Sequence, residues 1–235
     1  MSQKALQKVL ETLQKGGSDV ACIFDLDSTL FCTKYRTQAI IEAYIKACSF
    51  DQDPSLKKQL QNIEVTKRDW SIRDILKRYN LDQNHEVLNQ LETFWRKKFF
   101  TNDYLHYDKP YKGAVEFVNK LHELGATLFY LTARKEMFML QGTLKTLKKY
   151  NFPLKTDKHL LLKVDREQLD AEYKKEKLQK ISQSYKTLLF FENEPVILNL
   201  IAKSLKEIEL YWMDSTHSGK ETPPEKAIPI SMDYC

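Results

Sequence analysis

Apolar positions along the chain switch between two periods, and the switch divides it into regions. Leu6, Val9, Leu10 and Leu13 recur at helical spacing with Lys and Gln between them, and the run stops at Gly16-Gly17. Val20 to Phe24 is then a block of consecutive apolar residues, the texture of a strand covered on both faces. From Thr33 to His106 the helical period returns without a convincing strand. Ala39, Ile40, Ala43, Tyr44 and Ala47 form one stripe, Ile72, Ile75, Leu76 and Tyr79 a second, and Val87, Leu88, Leu91, Phe94 and Trp95 a third. Asp53-Pro54 marks a helix start, residues 80–84 a break, and Trp70 and Trp95 read as core of this helical region. Beyond Pro110, helices over 113–124, 135–150, 174–184 and 196–204 alternate with strands over 127–131, 160–164, 187–191 and 209–212. The tail 215–235, with Pro223-Pro224 and Pro229, reads as irregular chain.

Short apolar strands alternating with amphipathic helices predict an α/β fold, a Rossmann-like parallel sheet of five strands covered on both faces. Residues 1–32 and 107–235 form this core, and residues 33–106 an all-helical insert after the first strand. Ligands of such sheets sit beyond the carboxyl ends of the strands.

Composition narrows the class without deciding it. The 235 residues are 42% hydrophobic and 29% charged, as expected of a soluble globular chain. Lys plus Arg number 37 against 32 Asp plus Glu, a net charge of +5. In residues 33–106 the count is 13 against 10, or +3. A mild basic surplus suits an anionic small-molecule partner and falls short of the basic stripe of a nucleic-acid binder. Cys22, Cys32, Cys48 and Cys235 have neither zinc-site spacing nor a dense disulfide pattern, so reduced thiols and a cytoplasmic location are expected. The N-terminus lacks the apolar centre of a signal peptide, and no apolar run is long enough for a membrane span. Nothing in the sequence sets the oligomeric state.

Candidate chemistry lies just past the strand ends. Strand one runs into Asp25-Leu26-Asp27-Ser28-Thr29-Leu30, with two carboxylates two residues apart. Burying such a pair costs several kcal/mol unless a cation compensates. The second core strand is followed by Thr132-Ala133-Arg134, and the fourth by Glu192-Asn193-Glu194-Pro195. The lysine-rich stretch Tyr173-Lys174-Lys175-Glu176-Lys177 precedes that fourth strand. Taken singly, Thr132 serves equally as a helix N-cap, and the glutamates as acids favoured at a helix N-terminus.

Together these features resemble the haloacid dehalogenase-like (HAD) superfamily of phosphohydrolases. The apolar strand followed by Asp-x-Asp-x-Thr-Leu carries the resemblance, with a strand ending in Thr132, a lysine, an acidic cluster, and a helical insert like the superfamily's α-helical cap. The resemblance implies a phosphatase acting on a small phosphorylated metabolite. Asp25 would be the nucleophile that becomes an aspartyl phosphate. Asp27 would protonate the leaving oxygen and then deprotonate the attacking water. Leu26, Thr132, Ala133, Arg134 and a lysine would hold the phosphoryl group. Lys174 is preferred as the residue that opens its helix, with Lys175 and Lys177 as alternatives. Mg²⁺ would be bound by Asp25, by Asp27 through its main-chain carbonyl, and by one or more of Glu192, Asn193 and Glu194. A phosphomutase or phosphotransferase, and an interaction module with weakened chemistry, are the competing expectations.

Overall fold

In the computed structural model the described residues are 2–51, 53–83 and 85–234. Cys235, expected as a free thiol, and Asn84, placed in the break at 80–84, lie outside them, as do Met1 and Gln52. In chain order, helix α1 (Ser2–Gly16) leads to strand β1 (Val20–Phe24), a tight turn and β2 (Phe31–Cys32). Four helices follow: α2 (Lys34–Ala47), α3 (Pro54–Gln61), α4 (Ile72–Arg78) and α5 (His85–Phe99). A 3-10 turn (Asn102–Tyr107) and β3 (Lys109–Pro110) bring the chain back. Next come α6 (Ala114–Glu123), β4 (Thr127–Lys135), α7 (Glu136–Lys149) and β5 (Leu160–Lys163). Then come α8 (Asp170–Ser182), β6 (Thr187–Glu192), α9 (Pro195–Ser204), β7 (Glu209–Asp214) and β8 (Ile228–Ser231).

The large sheet has the order β5-β4-β1-β6-β7-β8, and its neighbouring strands are all parallel. From the central β1 the chain builds outward through β4 and β5, then returns to place β6 on the other side of β1. That reversal opens a crevice beyond the carboxyl ends of β1, β4 and β6. Alternation along the strands sorts the two faces. Val20, Cys22 and Phe24 pack with α1, α6 and α7, while Ala21 and Ile23 pack with α8 and α9. In β6, Leu189 and Phe191 take the first face, and Leu188 and Phe190 the second.

The helical segment has an apolar cluster of its own, drawn from Ile41 to Leu91 with Phe94 and Trp95 at its margin. Asp53 caps α3 by accepting from Leu56 N at 2.9 Å, and Ser71 and Asp74 form a capping box on α4. The two crossings between this segment and the sheet are tied together by β2 and β3, which pair antiparallel.

Four expectations change. The sheet has six strands, because residues 228–231 of the tail add a parallel edge strand to β7. Ile230 is fully buried there, and Pro229 is tolerated because an edge strand has one side without a partner. Strand β4 continues through Lys135, with a register shift between Leu131 and Lys135. Helix α8 begins at Asp170, one turn before Lys174, with Asp170 and Glu172 suiting its positive end. Trp70 is 46% exposed and lies outside the apolar cluster.

Candidate active site

The parity of β1 and β6 decides which side chains meet. Asp25 and Glu192 continue the alternation that sends Ala21, Ile23, Leu188 and Phe190 toward α8 and α9. Tyr173, Lys174, Leu178 and Ile181 form the buried face of α8, so Lys174 rises between the two acids. Its Nζ donates to Asp25 Oδ1 and to Glu192 Oε2, each at 2.6 Å. Lys175 pairs instead with Glu172, and Lys177 lies over the Tyr173 ring.

All three charged groups are buried, and one ammonium serves two carboxylates. Burial pushes the Asp25 carboxyl up, against the lowering pull of Lys174. Burial also pushes Glu192 up, to about 7, opposed by Lys174 and reinforced by Asp25. The Lys174 ammonium, although burial works against it, is held charged by Asp25 and Glu192.

The other residues of the acidic loop are engaged locally. Glu192 Oε1 accepts from the backbone N–H groups of Asn193 and Glu194, both at 3.0 Å. Asn193 Oδ1 accepts from Thr29 Oγ1 at 3.2 Å, and its Nδ2 donates to Thr216 O at 2.7 Å. Glu194 turns to Ser218, accepting from its N at 2.9 Å and its Oγ at 2.7 Å, and does not join Asp25. Ser215 Oγ donates to the Ser28 carbonyl, within the turn that carries Asp27. Ser28 has a left-handed backbone there (φ 63°), in a turn closed by Ser28 N donating to Phe31 O at 2.8 Å.

Asp27 faces a different set of partners. Its Oδ1 accepts from Arg36 Nη2 and Arg134 Nη2, both at 2.6 Å, and its Oδ2 from Arg134 Nε at 3.2 Å. Asp108, fully buried, accepts from Arg36 Nε at 2.8 Å and from Arg134 Nη2 at 2.9 Å. Burial alone would raise Asp27, but the Arg134 and Arg36 guanidiniums outweigh it and hold its carboxyl far below the usual range. Arg36 stands in the first turn of α2 and Asp108 just before β3, so this cluster sits where the chain leaves and rejoins the sheet.

Thr132 is buried at the register shift of β4, and its Oγ1 accepts from Arg134 N at 3.3 Å. Ala133 is half-buried beside it. The Leu26 side chain belongs to the core, which leaves its main chain as the part facing the rim. The structure thus groups Asp25, Lys174 and Glu192, and separately Asp27 with Arg134. Arg36, Asp108, Ser215, Thr216 and Ser218 were not singled out by sequence reasoning. Arg36 follows Asp27 by nine residues but is one of several cations on its helix, and no spacing pattern singles it out; the others meet the motifs from distant segments.

Among the described residues no group of three or more His, Cys, Asp or Glu side chains is gathered as a metal site. The oxygen donors at the rim nevertheless suit a hard cation. Two carboxylates share one ammonium at Asp25 and Glu192, and the Asn193 amide sits on the same loop. Mg²⁺ is commonly held by one or two carboxylates with water and substrate phosphate filling its other positions.

Comparison with known proteins bears on the fold that carries this site. The family model described as HAD superfamily, subfamily IIIB (Acid phosphatase) matches residues 78–193, just under half of the chain. The match takes in Thr132, Lys174 and Glu192, and leaves out Asp25 and Asp27. No curated protein matches the chain in sequence. Among solved structures, the haloacid dehalogenase-like hydrolase SP0104 from Streptococcus pneumoniae aligns at TM-score 0.51 and 10% identity, over 91% of this chain and 94% of that one. The Protein Tyrosine Kinase A (PtkA) of Mycobacterium tuberculosis aligns at TM-score 0.53 and 13% identity, again over 91% and 94%. The class C acid phosphatase from Bacillus anthracis aligns at TM-score 0.44 and 17% identity, over 78% of this chain. This chain spans 56% of that protein's length. One fold thus carries differently named activities, and the reaction has to be argued from the site.

Proposed function

We propose that this chain, a HAD-like phosphohydrolase, is a Mg²⁺-dependent phosphatase that hydrolyses a small phosphorylated metabolite through an aspartyl phosphate on Asp25. In this reading residues 33–106 act as a helical cap over the core formed by 1–32 and 107–235. The observation that carries it is Lys174 Nζ at 2.6 Å from both Asp25 Oδ1 and Glu192 Oε2. A carboxylate fixed at the end of the central strand, with an ammonium on one oxygen, is a positioned nucleophile.

Asp25 attacks phosphorus in line with the leaving oxygen, and the phosphoryl group passes to its carboxylate. Asp27, once it has left its guanidinium partners and taken up a proton from solvent, protonates the departing oxygen and, in the second half of the reaction, takes a proton from the water that releases phosphate. Lys174 neutralises charge as it shifts between Asp25 and the phosphoryl oxygens, and Thr132 Oγ1 donates to one of those oxygens. Asp25, the Asp27 main-chain carbonyl, Glu192 and Asn193 are the residues that would hold Mg²⁺, which when bound offsets the negative charge of phosphate beside two carboxylates. Glu194 serves instead to pin the loop through Ser218. The partner is a small anionic phosphoester, with no nucleic acid and no membrane involved. No helix among the described residues is long and apolar enough to cross a membrane. Free thiols at Cys22, Cys32 and Cys48 support a reducing, cytoplasmic setting.

The test is hydrolysis of 4-nitrophenyl phosphate by the wild type and Asp25→Asn, with and without Mg²⁺. Turnover that needs both Mg²⁺ and Asp25 is expected. Metal-independent turnover, or full activity in Asp25→Asn, would contradict the reading.

A further inference from the structure

Around Asp27 the charges do not balance without it. The side chains of Arg36, Arg134 and Asp108 are 0%, 1% and 0% exposed, whereas that of Asp27 is 29% exposed. Two guanidiniums share one buried carboxylate, and the half-open Asp27 supplies the second negative charge. The other donors are occupied. Arg36 gives Nε and Nη2 to Asp108 and Nη1 to the Phe99 carbonyl at 3.2 Å. Arg134 gives Nη1 to Thr143 Oγ1 at 3.1 Å and shares Nη2 between Asp27 and Asp108. The unit Arg36–Asp108–Arg134 therefore carries one surplus positive charge, and Asp27 Oδ1 closes its open side at 2.6 Å from each Nη2.

To pass a proton to the leaving oxygen, Asp27 has to release this carboxylate. A buried guanidinium left without its counter-charge is strongly disfavoured. We infer that the Arg36–Arg134 pair is a second anion subsite. The substrate carries, besides the phosphoryl group placed at Asp25, a second oxyanion that takes the position of the Asp27 carboxylate between the two Nη2 atoms. That exchange frees Asp27 for proton transfer and favours doubly anionic phosphoesters wherever the leaving oxygen needs a proton, a need that 4-nitrophenolate, a stable anion, does not have. The inference rests on the phosphatase reading of Asp25 and Asp27. It adds a selection shared between the helical segment, which supplies Arg36, and the returning chain and sheet, which supply Asp108 and Arg134.

The experiment is calorimetric binding to Asp25→Asn protein in Mg²⁺, with three probes built on the same three-carbon chain. These are propyl phosphate, 3-phosphonooxypropanoate and propane-1,3-diyl bisphosphate, so the last two arms separate carboxylate from phosphate at the second position. At least one doubly anionic probe should bind about tenfold tighter or more than propyl phosphate, the worth of one charge-assisted hydrogen bond. Adding Asp27→Asn should widen that preference, because a neutral amide no longer competes for the guanidinium pair. Adding Arg36→Met or Arg134→Met should abolish it. Where an arginine variant does not fold, the Asp27→Asn comparison decides alone. Equal affinity for all three probes, or a preference that Asp27→Asn leaves unchanged or narrows, would overturn the subsite. Those results would leave the phosphatase reading standing if 4-nitrophenyl phosphate is still hydrolysed. A chain that prefers the doubly anionic probes but hydrolyses no phosphoester would keep the subsite and lose the phosphatase.

Discussion

Lys174 is the only side chain the structure places on both Asp25 and Glu192 among the described residues, and its loss should be felt in folding as well as in chemistry. Removing one partner of a buried ionic cluster costs about 3–5 kcal/mol, since the remaining charges lose compensation. Lys174→Met should therefore lower Tm markedly. Mg²⁺ should restore more of the lost Tm than it adds to the wild type, which a thermal melt with and without the ion would check. A second residue gives a pH signature away from the site. Burial, with Lys155 nearby, lowers the pKa of His159, which packs against Phe129, below its ordinary 6.5. The folded state then disfavours the imidazolium, so the unfolded chain binds the extra proton first. The stability His159 contributes is complete above 6.5 and is lost as pH falls through its folded pKa. An NMR titration should place its midpoint below 6.5 in the native protein, and a midpoint at or above that value would refute this. At this scale the sequence was most legible where a motif is contiguous, as in Asp25-Leu26-Asp27. It was blind to Arg36 and Asp108, whose contact joins positions 72 apart.

Elements explain why the right side chains converge. The alternation of β1 and β6 sends Asp25 and Glu192 to the face of α8, a consequence of the two-residue period that the apolar pattern itself makes legible. The start of α8 was not legible, because Asp170 and Glu172 are ordinary surface acids until the chain around them is seen to turn. Edge strand β8 was hidden by its proline and its shortness, and the β2–β3 pair by having two residues a side. Packing of α7 on the 3-10 turn at 102–107 supplies an element-scale prediction. A Cβ at Gly142 would lie 2.8 Å from the Asn102 carbonyl oxygen and 2.8 Å from Leu105 Cδ1. Backbone there cannot move aside cheaply, so Gly142→Ala should cost about 1–3 kcal/mol. The displacement would reach Asp108 just beyond the turn. Chemical denaturation measures that cost, and a neutral substitution would show that the contact relaxes freely.

Over the whole molecule, two of the contacts that fasten the helical segment to the core differ in strength. One is the buried Arg36–Asp108–Arg134 cluster with the β2–β3 pair. The other is an exposed seam, where Arg68 Nη1 reaches Asp214 Oδ1 at 2.7 Å and Thr216 Oγ1 donates to the Arg68 carbonyl at 3.1 Å. Exposed pairs contribute about 0–1 kcal/mol, so Arg68→Ala should barely change Tm. The loop it grips also holds Asn193 and Glu194, so the same variant should raise KM more than it lowers kcat. An unchanged KM would separate the seam from substrate binding. That four helices stand between β2 and β3, in a chain otherwise alternating strands and helices, was legible from its two periods. How the insert is fastened was not, because the fastening consists of single side chains drawn from distant segments. The chemistry proposed for this chain turns on a covalent phosphoryl group at Asp25. Acid quenching during turnover with Mg²⁺, followed by borohydride reduction and peptide mapping, should convert residue 25 to homoserine in the presence of substrate. Turnover with residue 25 recovered as unmodified aspartate, or with the label on another side chain, would contradict it.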